Sequence, residues 1–180
     1  MTQNRHELFF RYGEDILSTG IALNIAKGKL QGIVSPETRA KILKNRQVVE
    51  NIVHNHKTVY GINTGFGPLC TSHISEEDTK ILQYNLLMSH SVGVGDFVVK
   101  EISKLMLILK VHSLALGYSG ISDETIDRII WHIDNDVIPC VPEQGSVGAS
   151  GDLAPLAHLF LPLIGLGKVD HPSQIFKQAV

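Results

Sequence analysis

The residue types that most clearly allow chemistry lie in the segment Gly145-Ser-Val-Gly-Ala-Ser-Gly-Asp152, which precedes an apolar run. Glycine-rich segments of this kind form phosphate-binding loops, but the lysine of such a loop is missing here. They also form nucleophile elbows, yet Asp152 stands where the second glycine of Gly-x-Ser-x-Gly is required. Composition alone therefore favours a tight turn that precedes a helix with Asp152 as its N-cap.

Two further segments hold residues that can exchange protons. Tyr60 begins Tyr-Gly-Ile-Asn-Thr-Gly-Phe-Gly67, which by composition is a surface turn beside a packing tyrosine. His90 ends an apolar run and is followed by Ser-Val-Gly-Val-Gly95. A histidine in that setting is usually a core residue with its hydrogen bonds satisfied. Neither residue alone defines a function.

Metal binding is not indicated by the histidines and cysteines. His54 and His56 have no third ligand nearby in the sequence, and the chain contains no His-Glu-x-x-His motif. Cys70 and Cys140 are the only cysteines and do not form a Cys-x-x-Cys pair. We predict no metal site, and the two thiols are consistent with a reducing compartment.

The elements that must position these segments are predicted to be helices. Ser35, Ser75 and Ser122 each combine a capping hydroxyl with acidic residues directly after it. Apolar residues then recur at steps of three and four, as they also do from Ile102 to Leu116. The run from Leu153 to Leu166 predicts a further helix, apolar on nearly every face.

Strand signals are scarce, and segments rich in Gly, Pro and Asn separate the predicted helices. We therefore predict a single all-α domain over residues 1–180 with long functional loops at 60–68, 92–96, 117–120 and 139–152. The length of 180 residues is sufficient for one domain with its own core.

Composition excludes several functional classes. The chain is 43% hydrophobic and 19% charged with a net charge of -2, which is neither disordered nor suited to nucleic acid. Lysines interrupt the apolar run at 98–117, and the run at 153–167 is shorter than the roughly 20 residues that span a membrane. The N-terminus lacks a signal-peptide pattern. We predict a cytoplasmic protein with no membrane or nucleic-acid partner.

The complete string from 145 to 157 resembles, without a break, the signature of the aromatic amino acid ammonia-lyase family. In that family the Ala-Ser-Gly triplet becomes 4-methylidene-imidazol-5-one, an electrophile made from the protein itself. The resemblance implies that the Gly151 nitrogen attacks the Ala149 carbonyl and that Ser150 loses its hydroxyl. Gly151 has no side chain to obstruct this attack. Gly145, Gly148 and Asp152 are then candidates for support of the electrophile loop, with no dissociable cofactor.

The same resemblance assigns roles to the other two segments. It implies that Tyr60 lies on a mobile loop and removes the β-proton of the substrate, and it makes Asn63 a candidate substrate contact. Ser89-His90 before a Gly-x-Gly turn resembles the histidine-specific branch, in which the histidine contacts the imidazole of the substrate. Phe160 departs from the family, where many members have a small residue, and we expect it to affect packing.

The implied reaction is elimination of ammonia from L-histidine to give trans-urocanate. Tyrosine and phenylalanine lyases, and the corresponding aminomutases, remain alternatives within the family. The family implies a homotetramer of mainly helical chains that are more than twice as long as this one. We therefore expect the 180-residue chain to be an N-terminal portion that is inactive alone, and a non-catalytic helical fragment is the alternative outside the family.

Overall fold

Six α-helices provide most of the regular structure in residues 9–55, 58–65, 74–171 and 174–178, the part of the chain that our computed structural model describes. The helices are α1 (Thr19–Ala26), α2 (Pro36–His54), α3 (Glu76–His90), α4 (Lys100–Leu114), α5 (Asp123–Asp134) and α6 (Ala154–Phe160). A 3-10 turn follows at Leu161–Ile164. Short strands occur between the helices: β1 (Phe9–Arg11), β2 (Gln31–Ile33), β3 (Val94–Phe97), β4 (Ile138–Pro139), β5 (Pro142–Gln144), β6 (Lys168–His171) and β7 (Gln174–Gln178).

Serine caps begin the helices where the sequence predicts them. The hydroxyl oxygen of Ser35 accepts the backbone N–H of Thr38 at 3.1 Å, and Ser75 and Ser122 accept in the same way three residues ahead. Each bond satisfies an N–H that a helix otherwise leaves unpaired in its first turn. All three predicted starts are confirmed. α1 was not predicted, although Ser18 caps it in the same manner.

The core is centred on α4, which packs against α1 and α5. Leu107, Ile108 and Val111 of α4 are buried, and Ile126 and Ile129 of α5 are buried beside them. Both sets recur at three- and four-residue steps, so each helix presents one apolar face to the other. None of the described helices is long and apolar enough to cross a membrane.

The prediction of an all-α fold is correct for the dominant class of element and wrong about strands. β1 pairs in parallel with β2, β3 pairs antiparallel with β5, and β4, β6 and β7 form an antiparallel sheet. None of these strands exceeds five residues. Strands so short cannot establish a period-two pattern, and β3 and β5 lie within segments predicted to be loops.

The helix predicted from Leu153 to Leu166 is shorter than expected. α6 ends at Phe160 and gives way to the 3-10 turn, which contains Pro162. Proline has no N–H to continue an α-helix, and its ring clashes with the preceding turn. Gly165 then ends the segment at φ +75°, a conformation that favours glycine.

Candidate active site

The Ala149-Ser150-Gly151 triplet lies in an exposed tight turn. The N–H of Gly151 donates to the carbonyl of Gly148 at 3.0 Å, which closes the turn. Gly151 has φ +89°, so a residue with a side chain would be strained there. All three residues of the triplet are exposed, which leaves the Ser150 hydroxyl and the peptide groups accessible.

Asp152 organises the base of this loop. Its Oδ1 accepts the backbone N–H of Ser146 at 2.7 Å and the N–H of Ala154 at 3.1 Å. The Ser146 N–H, and then that of Ala154, hold the pKa of the carboxyl below its ordinary value, whereas desolvation opposes them. Asp152 lies one residue before the N-cap position, which Leu153 occupies, yet it supplies the capping bond to α6. A side chain at Gly145 would overlap its carboxylate.

Two contacts bring the segment after His90 beside this loop. Val94 of β3 pairs with Gln144 of β5, and β5 leads directly into the loop. The N–H of Gly93 donates to Nε2 of His158, which lies on α6, at 3.0 Å. α3 also packs against α6. The structure thus places the chain on both sides of the triplet against the segment that carries His90.

His90 is half-buried at the last position of α3. Its Nδ1 lies 2.9 Å from the carbonyl oxygen of Leu86, which only accepts, so Nδ1 carries the proton of that bond. The hydroxyl of Ser89 lies 3.1 Å from the same nitrogen. In the neutral ring Nε2 is consequently the hydrogen-bond acceptor.

Asn63 and Tyr60 lie on the loop over residues 58–65 and differ in exposure. Asn63 is fully buried at 0% exposure, and its Oδ1 accepts the N–H of Val59 at 2.9 Å. Its backbone carbonyl accepts the N–H of Ile74 at 2.9 Å, which ties the loop to the start of α3. Tyr60 is 62% exposed. The predicted segment ends at residues 66–67, which lie outside the described part of the chain.

A cavity of about 730 Å³ adjoins the Tyr60 loop between α2 and α3. Gly61, Ile62, Thr79 and Gln83 are among its lining residues, whereas His90 and the triplet are not. The described residues therefore bring His90 near the electrophile loop and do not gather all candidates around one cavity. Among those same residues there is no group of three His, Cys, Asp or Glu that could hold a metal ion.

Comparison with known proteins identifies the family. Residues 17–179 match the family model described as aromatic amino acid lyase. The chain belongs to this family. The histidine ammonia-lyase of Shewanella oneidensis is 44% identical over 163 residues, which are 91% of this chain and 32% of that protein. The chain thus spans about a third of the length of the relatives it matches and corresponds to their N-terminal part.

Solved lyase-family structures share the fold. The histidine ammonia-lyase of Trypanosoma cruzi superimposes with a TM-score of 0.83 at 34% identity, covering 95% of this chain and 32% of that one. The tyrosine aminomutase of Streptomyces globisporus gives a TM-score of 0.84 at 27% identity, covering 96% of this chain and 32% of that one. Lyases and aminomutases therefore share this N-terminal architecture.

The triplet of this lyase-family chain meets the local requirements of the electrophile that the family uses. The turn bends the backbone at Gly148–Gly151, and no neighbouring atom lies within 4 Å of the position that a side chain on Gly151 would take. Glycine is thus required there by its positive φ and not by crowding. Sequence reasoning missed His158, because only the fold shows that α6 meets Gly93.

Proposed function

We propose that this chain is the electrophile-forming N-terminal domain of a histidine ammonia-lyase, which eliminates ammonia from L-histidine to give trans-urocanate. The observation that carries the proposal is the exposed Ala149-Ser150-Gly151 turn, held at its base by Asp152 and flanked by the segment that bears His90. Relatives named histidine ammonia-lyase, at 44% identity over most of the chain, support this choice of substrate.

Formation of the electrophile requires one new bond and the loss of two water molecules. The Gly151 nitrogen attacks the carbonyl carbon of Ala149, and the carbonyl oxygen leaves as water. The Ser150 hydroxyl leaves as the second water together with the α-hydrogen of that residue, which produces the exocyclic methylidene. That group, once formed, is an electrophile that converts the nitrogen of a bound substrate into a better leaving group.

Tyr60 is proposed to remove the β-proton of the substrate. Its phenol is mostly exposed on a loop whose backbone is fixed by buried Asn63, so the hydroxyl is free to meet a ligand. A general base must reach the proton that it abstracts, and a loop that closes over the substrate also excludes water. In this arrangement Asn63 supports Tyr60, and its direct contact with substrate stays a prediction.

His90 is proposed to select the imidazole. Because its Nδ1–H donates to Leu86, its Nε2 offers a lone pair to an N–H of the substrate ring. The phenol of tyrosine could donate to the same lone pair, so a tyrosine lyase or aminomutase is the second candidate. Phenylalanine has no such donor. The complete enzyme is proposed to be a homotetramer in which the rest of the chain completes the site.

The test uses a complete lyase chain that carries this segment. Intact-mass analysis should show the loss of two water molecules, and the purified enzyme should generate urocanate absorbance from L-histidine. Ser150→Ala should retain the full mass and lose activity, whereas Ser113→Ala, at an exposed serine of α4, should change neither. An active enzyme with unmodified mass would contradict the proposed electrophile.

A further inference from the structure

We propose that His158 is a positioning residue that holds His90 at a set place relative to the electrophile loop and thereby contributes to substrate selectivity. This inference rests on the proposed function. His158 lies on α6, one helical turn beyond Ala154, and its Nε2 accepts the N–H of Gly93 at 3.0 Å. Gly93 follows His90 by three residues, so this bond fixes the chain where it leaves α3.

The approach of Gly93 to His158 is close enough to require glycine. A Cβ at position 93 would lie 3.1 Å from Nε2 of His158 and 3.1 Å from Cβ of Pro142. Either neighbour would have to move to admit a side chain. The acceptor role also requires a neutral imidazole, and burial lowers the pKa of His158, which favours that form.

Displacement of Gly93 would be transmitted to His90 through a tight turn. The N–H of Val92 donates to the carbonyl of His90 at 2.9 Å, so only one residue separates this turn from the bond to His158. The His90 ring is in turn fixed to Leu86. Loss of the bond at Gly93 therefore frees the last residue of α3, which carries the ring that meets the substrate.

α6 connects this contact to the electrophile loop. Its first residue, Ala154, donates its N–H to Asp152, and Asp152 also accepts the N–H of Ser146 across the loop. His158 projects from the next turn of the same helix. Because a helix is rigid over so short a distance, the separation between the triplet and the His90 segment is set by one element. A substrate contacted at both ends is sensitive to that separation.

The chain offers a matched control far from this site. Nδ1 of His112 on α4 accepts the N–H of Gly13 at 3.2 Å, which is the same kind of bond between a histidine and a glycine. His112 packs beside Phe10 in the core region, and its pKa is also lowered by burial. Its loss should affect stability without affecting selectivity.

The experiment is a double-mutant cycle in the complete enzyme with His158→Leu, His90→Leu and the double variant. We expect His158→Leu to raise the KM for L-histidine about fivefold to tenfold, the size expected for one hydrogen bond, and to reduce the preference for histidine over phenylalanine. In the His90→Leu background the same substitution should have no further effect on that preference, because it acts through His90. His158→Gln, whose amide oxygen can accept from Gly93, should restore part of the preference.

Controls separate this inference from the proposed function. Loss of two water molecules should persist in His158→Leu, and His112→Leu should lower thermal stability while the preference remains that of the parent enzyme. If His158→Leu does not fold, Gly93→Ala tests the same contact. A parent enzyme that does not turn over histidine would overturn the proposed function. An unchanged preference in the folded variant, or equal effects with and without His90, would overturn the role of His158 alone.

Discussion

The two glycine-rich loops of the chain, at 58–65 and 145–152, are organised by the same kind of bond in opposite environments. In the first, Oδ1 of Asn63 accepts the N–H of Val59; in the second, Oδ1 of Asp152 accepts the N–H of Ser146. Asn63 is a buried neutral amide, whereas Asp152 is an exposed carboxylate. In both loops the residue proposed to react is a different and exposed one.

This difference shows that organisation and chemistry are assigned to separate residues in each loop. Removal of the reactive group should therefore affect turnover without affecting the fold, and removal of the organising oxygen should first affect the loop. The environment then determines how the organising bond fails. A buried amide fails through an unsatisfied N–H, whereas an exposed carboxylate is sensitive to pH and to its immediate neighbours.

The largest expected effect belongs to Tyr60→Phe. General base catalysis contributes about 10²- to 10⁴-fold, so kcat on L-histidine in the complete enzyme should fall by that factor. The KM should change little, because the base acts in the transition state. Since Tyr60 is mostly exposed, unfolding midpoints should not move. Tyr118→Phe, at a tyrosine that is 86% exposed, is the control and should retain parental kcat. Near-normal kcat in Tyr60→Phe would remove this residue from the mechanism.

Gly145→Ala should be the next most severe change. A methyl group at this position overlaps the carboxylate of Asp152, so the bonds to Ser146 and Ala154 cannot both persist. Because misplacement of reacting groups is costly, we expect the cyclised fraction and activity to fall on the order of tenfold to a hundredfold.

Gly148→Ala is the matched control for that change, because the nearest atom to its added Cβ is the Gly151 carbonyl oxygen at 3.8 Å. Intact-mass analysis of both variants measures the cyclised fraction directly. Equal loss in both variants would show that the collision with Asp152 is not the cause.

Asn63→Ala should affect stability. The substitution leaves the N–H of Val59 without its side-chain acceptor, and an unsatisfied group of this kind costs about 1–3 kcal/mol. Denaturant unfolding of the complete enzyme measures the change in the free energy of unfolding. Asn24→Ala, at an exposed asparagine of α1, should remain within about 0.5 kcal/mol of the parent. A loss of activity in Asn63→Ala without loss of stability would instead favour direct contact with substrate.

The helices were predictable because their signals are local, and much of the site was not. Ser35, Ser75 and Ser122 cap helices through an N–H three residues away, which a sequence displays directly. The triplet was found because its residues are consecutive. The strand pair between Val94 and Gln144 joins residues far apart in sequence, as does the bond from Gly93 to His158. No local pattern records such contacts.

The smallest expected effect is the acid dependence of the electrophile loop. The N–H groups of Ser146 and Ala154 hold the pKa of Asp152 below its ordinary value of 3.8. A carboxyl with a depressed folded-state pKa stabilises the fold above the unfolded value, and that contribution is lost as pH falls through the folded value. The bond to Ser146 should therefore be intact at neutral pH and weaken only below about pH 4.

Amide hydrogen exchange can compare the two loops in one experiment, after correction for intrinsic exchange rates. Protection of the Ser146 N–H should decline as pH falls below about 4, whereas protection of the Val59 N–H should not, because Asn63 does not titrate in this range. Asp152→Asn should abolish the decline, since an amide oxygen still accepts and carries no titrating charge. Asp96→Asn, at an exposed aspartate of β3, should leave it intact. If Ser146 loses protection equally in Asp152→Asn, the loop opens in acid for another reason, and the contrast between the charged and neutral organiser fails.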